Sequence, residues 1–220
     1  MTRHFQHEIE KLKKKILRLS ASVEDNLRLA AKSVSERDLK LAQRVVEVDT
    51  EIDLLEVEVE EDCLKILALH QPVAIDLRFV VAALKINNDL ERIGDLAVNM
   101  AKRGKILAGL PSQKIPFNFD GMLTLTIDMV KRSTDSLIDM DPQIARDICA
   151  TDDTIDNHLK DAYRQLQAEM QAHPDMIKYG VALLGVARNL ERIADHATNI
   201  AEDVIYMVEG EIVRHRGNFF

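Results

Sequence analysis

One seven-residue string occurs twice in this chain with two positions changed. Asp89-Leu-Glu-Arg-Ile-Gly-Asp95, then Ala97 and Asn99, returns as Asn189-Leu-Glu-Arg-Ile-Ala-Asp195, then Ala197 and Asn199, at an offset of 100 residues. Further upstream, Asp38, Ala42, Val45, Asp49, Ile52 and Asp53 match Asp141, Ala145, Ile148, Asp152, Ile155 and Asp156 at an offset of 103. Two matched blocks in the same order mark a tandem duplication. The 220 residues are therefore two copies of one unit, the first with a helical hairpin three residues longer. The copies are expected at 1–110 and 117–210.

Each copy reads as three helices. Apolar residues recur at alternating steps of three and four, the spacing of one helix face. Phe5, Ile9, Leu12, Ile16, Leu19, Val23, Ala30 and Val34 form the first stripe, with a polar interruption at Asn26. Val45, Val48, Ile52, Leu55, Val59, Ile66 and Leu69 form the second, and Phe79, Ala83, Ile86, Leu90, Ile93, Ala97 and Met100 the third. In the second copy the stripes are Leu123, Ile127, Val130, Thr134 and Leu137, then Ile144, Ile148, Ile155, Leu159, Ala162 and Leu166, then Leu183 to Met207. Breakers fall between them: Ser35 to Asp38, Pro72, the stretch from Gly109 to Gly121, Asp141-Pro142 and Pro174. Several helices would run near 30 residues, which implies elongated bundles. The predicted fold is all-α, with two tandem three-helix bundles, six long helices in all, related by a pseudo-two-fold axis.

Charge and cysteine content narrow the function. The formal net charge is −8, which disfavours nucleic acid as a partner and favours a cation. Cys63 and Cys149 are isolated, so they make neither a CxxC zinc motif nor a disulfide framework and fit a reducing compartment. The uncharged stretch from Tyr179 up to Arg188 is half a membrane span, and the N-terminal region has no apolar signal core. The expected location is the cytoplasm.

The acidic residues are where chemistry is concentrated. Four pairs stand four residues apart: Asp49/Asp53, Glu91/Asp95, Asp152/Asp156 and Glu191/Asp195. Such spacing puts both carboxylates of a pair on one helix face. Asp53 lies 19 residues before Pro72 and Glu91 lies 19 after it; Asp49 and Asp95 each stand 23 away. If Pro72 marks the turn, these four carboxylates share one level on antiparallel neighbours. In the second copy Asp156 and Asp152 lie 18 and 22 before Pro174, and Glu191 and Asp195 lie 17 and 21 after it. Neighbouring helices approach to about 8–10 Å, close enough for opposed carboxylates to share an ion. Unneutralised, each close pair costs about 1–4 kcal/mol. A bound cation, raised pKa values or nearby arginines such as Arg92 and Arg192 would relieve it. An all-oxygen set suits magnesium, manganese, calcium or iron, including multinuclear arrangements with bridging carboxylates. Asn99 and Asn199, one turn beyond Asp95 and Asp195, are positioned either to add carbonyl ligands or to bond the backbone. Glu202 extends the second stripe where the first copy has Lys102, so the two sites would differ in affinity.

At these residues the chain resembles the PhoU family, the phosphate-uptake regulators of bacteria. The matching text is LERIGD at 90–95, LERIAD at 190–195, the DxxID blocks, and the segment Gln71-Pro72-Val73-Ala74-Ile75-Asp76-Leu77-Arg78. The resemblance covers essentially the whole chain. It implies two three-helix repeats with surface metal clusters at E(D)xxxD motifs, occupied by iron, zinc, manganese or magnesium. It also implies a non-enzymatic, negative regulator of phosphate uptake and of the phosphate-starvation response. Such a regulator is a cytoplasmic homodimeric scaffold, peripheral to the membrane at most, coupling the ATPase subunit of the phosphate ABC transporter to a sensor histidine kinase. The second copy departs from the pattern: its turn is His173-Pro174 without QPVAxDLR, and His196 stands where the first copy has Leu96. A residue adjacent to Asp195 points about 100° away from it, so His196 is expected to face solvent instead of adding a nitrogen ligand.

Other features carry plainer expectations. Lys11, Lys13, Lys14, Lys15 and Arg18 are read as a solvated face opposite Leu12, Ile16 and Leu19, with docking on an anionic membrane as the sharper alternative. Arg78 is expected to pair with Asp76 or another acid, and the two cysteines to be small core or boundary residues. The tail from Arg214 to Phe220 is expected to fray unless Phe219 and Phe220 pack on a neighbour. Two other classes compete with a regulator. A carboxylate-bridged metal-storage or di-iron redox protein would use Glu-x-x-His motifs, and no glutamate here has histidine three residues on. In a metal-independent bundle the carboxylates would merely solubilise the surface.

Overall fold

The computed structural model describes residues 3–111 and 113–210; the tail from Arg214 to Phe220 lies outside the described residues. Six helices form: α1 (Arg3–Ser35), α2 (Leu39–His70), α3 (Ala74–Ala108), α4 (Phe119–Asp139), α5 (Pro142–Ala172) and α6 (Ile177–Glu209). A 3₁₀ turn, Pro174–Met176, joins α5 to α6, and there is no strand among the described residues.

Local chemistry explains the breaks. The Asp38 carboxylate accepts from the Lys40 and Leu41 N–H groups and opens α2. Asp141 does the same for α5 through Gln143 and Ile144, with Pro142 in the first turn. These are side-chain N-caps, which satisfy donors the helix itself cannot. Gln71 closes α2 with φ 45°, and its N–H donates to the Leu67 carbonyl. The expected non-helical stretch from Gly109 to Gly121 ends three residues early, because Asn118 caps α4 by accepting from the Gly121 N–H. A β-carbon on Gly121 would collide with the Asn118 amide, so the glycine makes room for its own cap. The Arg37 guanidinium donates to the Leu107 and Leu110 carbonyls, tying the α1–α2 turn to the end of α3.

The stripes become the core. Leu12, Ile16, Leu19, Ile52, Val59, Ile86, Leu90, Ile93, Val130, Leu137, Ile148, Ile155, Val186, Leu190, Ile193, Ile200 and Val204 are fully buried. Asn26 is also fully buried, and neither amide atom has a hydrogen-bond partner among the described residues. Leu69 departs from its stripe and stands exposed. His70 takes its place, with its ring 5.4 Å from that of Phe5. Cys63 is buried and Cys149 half-buried, as expected.

Helices α1–α3 pack as one bundle and α4–α6 as another. The bundles meet chiefly along α3 and α6, with a smaller α1–α4 contact that includes a buried bond from Ser20 Oγ to Thr134 Oγ1 at 2.9 Å. Helices α3 and α6 run antiparallel: Arg78 meets Met207, Lys85 meets Asp203, and Asp89 meets His196. That pairing places the pseudo-two-fold axis near Ile93 and Ile193. Both helices are buried on a second face besides the stripe, through Ala82, Leu96 and Ala101 on α3 and Ala187, Ala201 and Ile205 on α6.

Two surface expectations change. Arg78 does not pair with an acid; its Nε donates to the Met207 carbonyl at 2.8 Å, satisfying an orphan carbonyl in the last turn of α6. The basic cluster of α1 is not uniformly solvated. Lys15 bridges Glu58 (3.3 Å) and Asp62 (2.6 Å) on α2, Lys13 lies over the Phe79 ring, and Lys11 pairs with Glu8. Acidic α2 is the near neighbour that draws Lys15 down. No helix is long and apolar enough to cross a membrane among the described residues.

Candidate metal centre

Turning α2 back on α3 at Gln71–Val73 brings the first two acidic pairs to one level. Burial, then the charges of Asp53, Asp95 and Glu91, push the Asp49 carboxyl up to about 6. Asp95 and Glu91 stand across the groove on α3, and their charges reach Asp49. Glu91 is raised by burial and by Asp95 and Asp53, with Arg92 pulling the other way.

Two buried oxygens in this cluster have no hydrogen-bond partner: Asp49 Oδ1 and Glu91 Oε2. The latter lies 3.4 Å from Arg92 Nε, an ion-pair distance without hydrogen-bond alignment. Arg92 spends its Nη1 on Asp95 Oδ2 at 3.3 Å. Asp49 leans against α3 at Gly94, where a β-carbon would lie 3.0 Å from Asp49 Oδ1. Glycine at that position lets a carboxylate approach the backbone.

The second hairpin repeats the arrangement with different detail. Burial, then Asp195 and Asp156, push Asp152 up to about 6, while a bond from the Thr198 hydroxyl (3.4 Å) pulls it down. Glu191 is raised by burial, Asp195 and Asp156. Asp195 is raised by burial and Asp156, against His196 and Arg192. Ala194 stands where the first copy has Gly94, and Thr198 where it has Val98. The second cluster thus supplies a hydroxyl donor that the first lacks.

Asn99 and Asn199 make no hydrogen bond to these carboxylates among the described residues. Asn99 is exposed, with its Oδ1 3.5 Å from Lys102 Nζ. Asn199 lines a cavity of about 580 Å³ on the α3–α6 seam, together with Lys85, Asp89, Glu202 and Asp203. His196 does not face solvent. Its side chain is 20% exposed and its Nδ1 lies 2.8 Å from Asp89 Oδ1, because the antiparallel seam presents α3 to the side of α6 that a single-helix argument leaves open.

Sequence reasoning missed Glu56, which is raised by burial and by Glu60, Glu91 and Asp53 and so joins the first cluster. Asn87 Nδ2 donates to the Glu56 carbonyl (2.9 Å) and to its Oε1 (2.7 Å). The signal was present: Glu56 stands one turn after Asp53 and Asn87 one turn before Glu91.

The donor set fits hard cations. It offers carboxylate oxygens, two of them buried without a hydrogen-bond partner among the described residues, in a place where repulsion already disfavours ionisation. The side chains stand splayed: no group of three or more His, Cys, Asp or Glu among the described residues is gathered closely enough to hold an ion as it stands.

Comparison with known proteins identifies the scaffold. The family model described as the PhoU domain matches residues 16–104 and 119–204. The phosphate-specific transport system accessory protein PhoU homolog of Aquifex aeolicus (strain VF5) is 39% identical over 209 residues, covering 95% of each chain. That of Caulobacter vibrioides (strain NA1000 / CB15N) is 37% identical over 216 residues, covering 96% of this chain and 94% of its own. The crystal structure of PhoU from Pseudomonas aeruginosa superposes with a TM-score of 0.88 at 34% identity, covering 94% of this chain and all of that one. The phosphate transport system regulatory protein PhoU from Streptococcus pneumoniae gives 0.83 at 26% identity over 95% of this chain and 99% of that one. The chain belongs to the PhoU family.

Proposed function

We propose that this chain is a negative regulator of phosphate uptake and of the phosphate-starvation response. It acts as a cytoplasmic, homodimeric, non-enzymatic scaffold that couples the ATPase subunit of a phosphate ABC transporter to a sensor histidine kinase. Family membership supports the link to phosphate transport, since the Aquifex and Caulobacter relatives are named as accessory proteins of that system.

Metal binding is the second part of the reading. Asp49, Asp53, Glu91 and Asp95 would hold one cation cluster, and Asp152, Asp156, Glu191 and Asp195 the other. Asn99 and Asn199 would add carbonyls at the edge. Iron, zinc, manganese or magnesium would supply positive charge that cancels the repulsion between α2 and α3 and between α5 and α6. The observation that carries this is the buried Asp49 Oδ1, which has no hydrogen-bond partner among the described residues, a state that costs about 1–3 kcal/mol; the buried Glu91 Oε2 beside it has only its ion pair with Arg92. Side-chain rotation, with small shifts of the helix segments that carry these residues, closes the set. The two repeats, 1–110 and 117–210, would present these sites on one rigid surface to both partners.

The test is binding of the purified protein to the transporter's ATPase subunit and to the cytoplasmic part of the kinase. Binding to both, weakened by a chelator, is expected. Absence of both interactions with metal and phosphate supplied overturns the proposal.

A further inference from the structure

The two carboxylate clusters lie in different repeats, and of the polar contacts between α3 and α6 the His196–Asp89 contact lies beside both of them. His196 Nδ1 on α6 lies 2.8 Å from Asp89 Oδ1 on α3, with side-chain exposures of 20% and 14%. His196 directly follows Asp195 of the second cluster, and Asp89 stands two residues before Glu91 of the first. The contact therefore ties a backbone segment of one cluster to a backbone segment of the other, in a setting where water competes weakly.

The pseudo-two-fold axis shows that this link is not required by the fold. The equivalent positions are Leu96 and Asn189, and leucine has no polar atom to offer. The core repeats across the axis, whereas this contact occurs on one side only.

We propose that His196 is a positioning residue that couples the two carboxylate clusters, so that a cation bound at one changes the affinity of the other. This inference rests on the metal-binding reading above. Drawing Glu91 onto a cation moves the α3 segment bearing Asp89. The Asp89–His196 contact passes that displacement to Asp195. By linkage the effect is reciprocal, and couplings of this kind span about five- to 150-fold in affinity.

The experiment titrates manganese(II) into the full-length, metal-stripped protein and follows free ion by electron paramagnetic resonance. Each cluster is measured alone in the Asp53→Asn/Asp95→Asn and Asp156→Asn/Asp195→Asn variants. Wild-type binding is expected to deviate at least five-fold from the sum of the two single-cluster curves. In His196→Leu, which installs the residue of the first repeat, the sum should suffice. In His196→Asn, whose amide nitrogen replaces Nδ1 as donor to Asp89, the deviation should return; a merely structural role for the ring would not predict that rescue. Additive binding in the wild type, or a deviation that persists in His196→Leu, overturns the coupling while leaving the metal sites intact. No manganese binding at either cluster overturns the metal reading itself.

Discussion

Asp49 and Gly94 are matched across the α2–α3 groove: the Asp49 Oδ1 atom stands 3.0 Å from where a β-carbon on Gly94 would lie. The carboxylate is half-buried, its Oδ1 has no hydrogen-bond partner among the described residues, and burial, then three further carboxylates, raise its pKa. Substituting Gly94→Ala sets two effects against each other. Alanine gains about 1 kcal/mol of helix propensity, but it displaces Asp49 by a few tenths of an ångström. Stability by urea denaturation should change by less than about 1 kcal/mol, since the second repeat tolerates Ala194. Metal affinity at the first cluster should fall while that of the second stays constant. An unchanged affinity at the first cluster would show that the Asp49 position is unimportant.

The raised carboxyls set a pH dependence. Asp49 and Asp152 sit at about 6 in the fold, against 3.8 for the unperturbed group. A carboxyl whose folded pKa is raised destabilises the fold when ionised. The penalty is present above about pH 6 and is relieved as pH falls toward 4. Both groups are partly solvated, so about 1 kcal/mol each remains after screening. The metal-free wild type should therefore gain stability between pH 7.5 and 5 relative to Asp49→Asn/Asp152→Asn. Parallel pH profiles for the two proteins would contradict this.

The helical plan was readable because its signals are local. Stripes at three–four spacing, Pro72, and the Asp38 and Asp141 caps mark each helix without knowledge of its neighbours. Counting from Pro72 even set the carboxylate level, because a hairpin maps sequence distance onto height. The α3–α6 seam was not readable in this way. Its second buried face is built largely from alanines such as Ala82, Ala101, Ala187 and Ala201, which a stripe of large residues does not register. His196–Asp89, Arg78 with the Met207 carbonyl, and Lys15 with Asp62 all depend on how one helix is rotated against another. The sequence alone does not specify that rotation.

Asn26 interrupts the first stripe and is fully buried with both amide atoms unpartnered. Replacing a buried, unsatisfied amide with an apolar group of similar size removes a desolvation cost of about 1–3 kcal/mol. Asn26→Leu should raise the urea midpoint without changing the slope. A lower midpoint would contradict the assignment of Asn26 as unsatisfied.

Arg37 holds the α1–α2 turn to the end of α3 through the Leu107 and Leu110 carbonyls. Hydrogen bonds from a charged donor contribute about 1.5–3 kcal/mol. Arg37→Ala should destabilise by that order and increase amide exchange in the last turn of α3. Unchanged exchange at Leu107 to Leu110 would show that the guanidinium does not secure this end.

The claim that the duplicated carboxylates are metal sites is tested most directly by metal content. The protein should be purified without an affinity tag or chelator and analysed beside Asp95→Ala and Asp195→Ala. Each variant is expected to lose the metal of its own cluster and keep that of the other. Equal metal content in all three proteins would contradict the account.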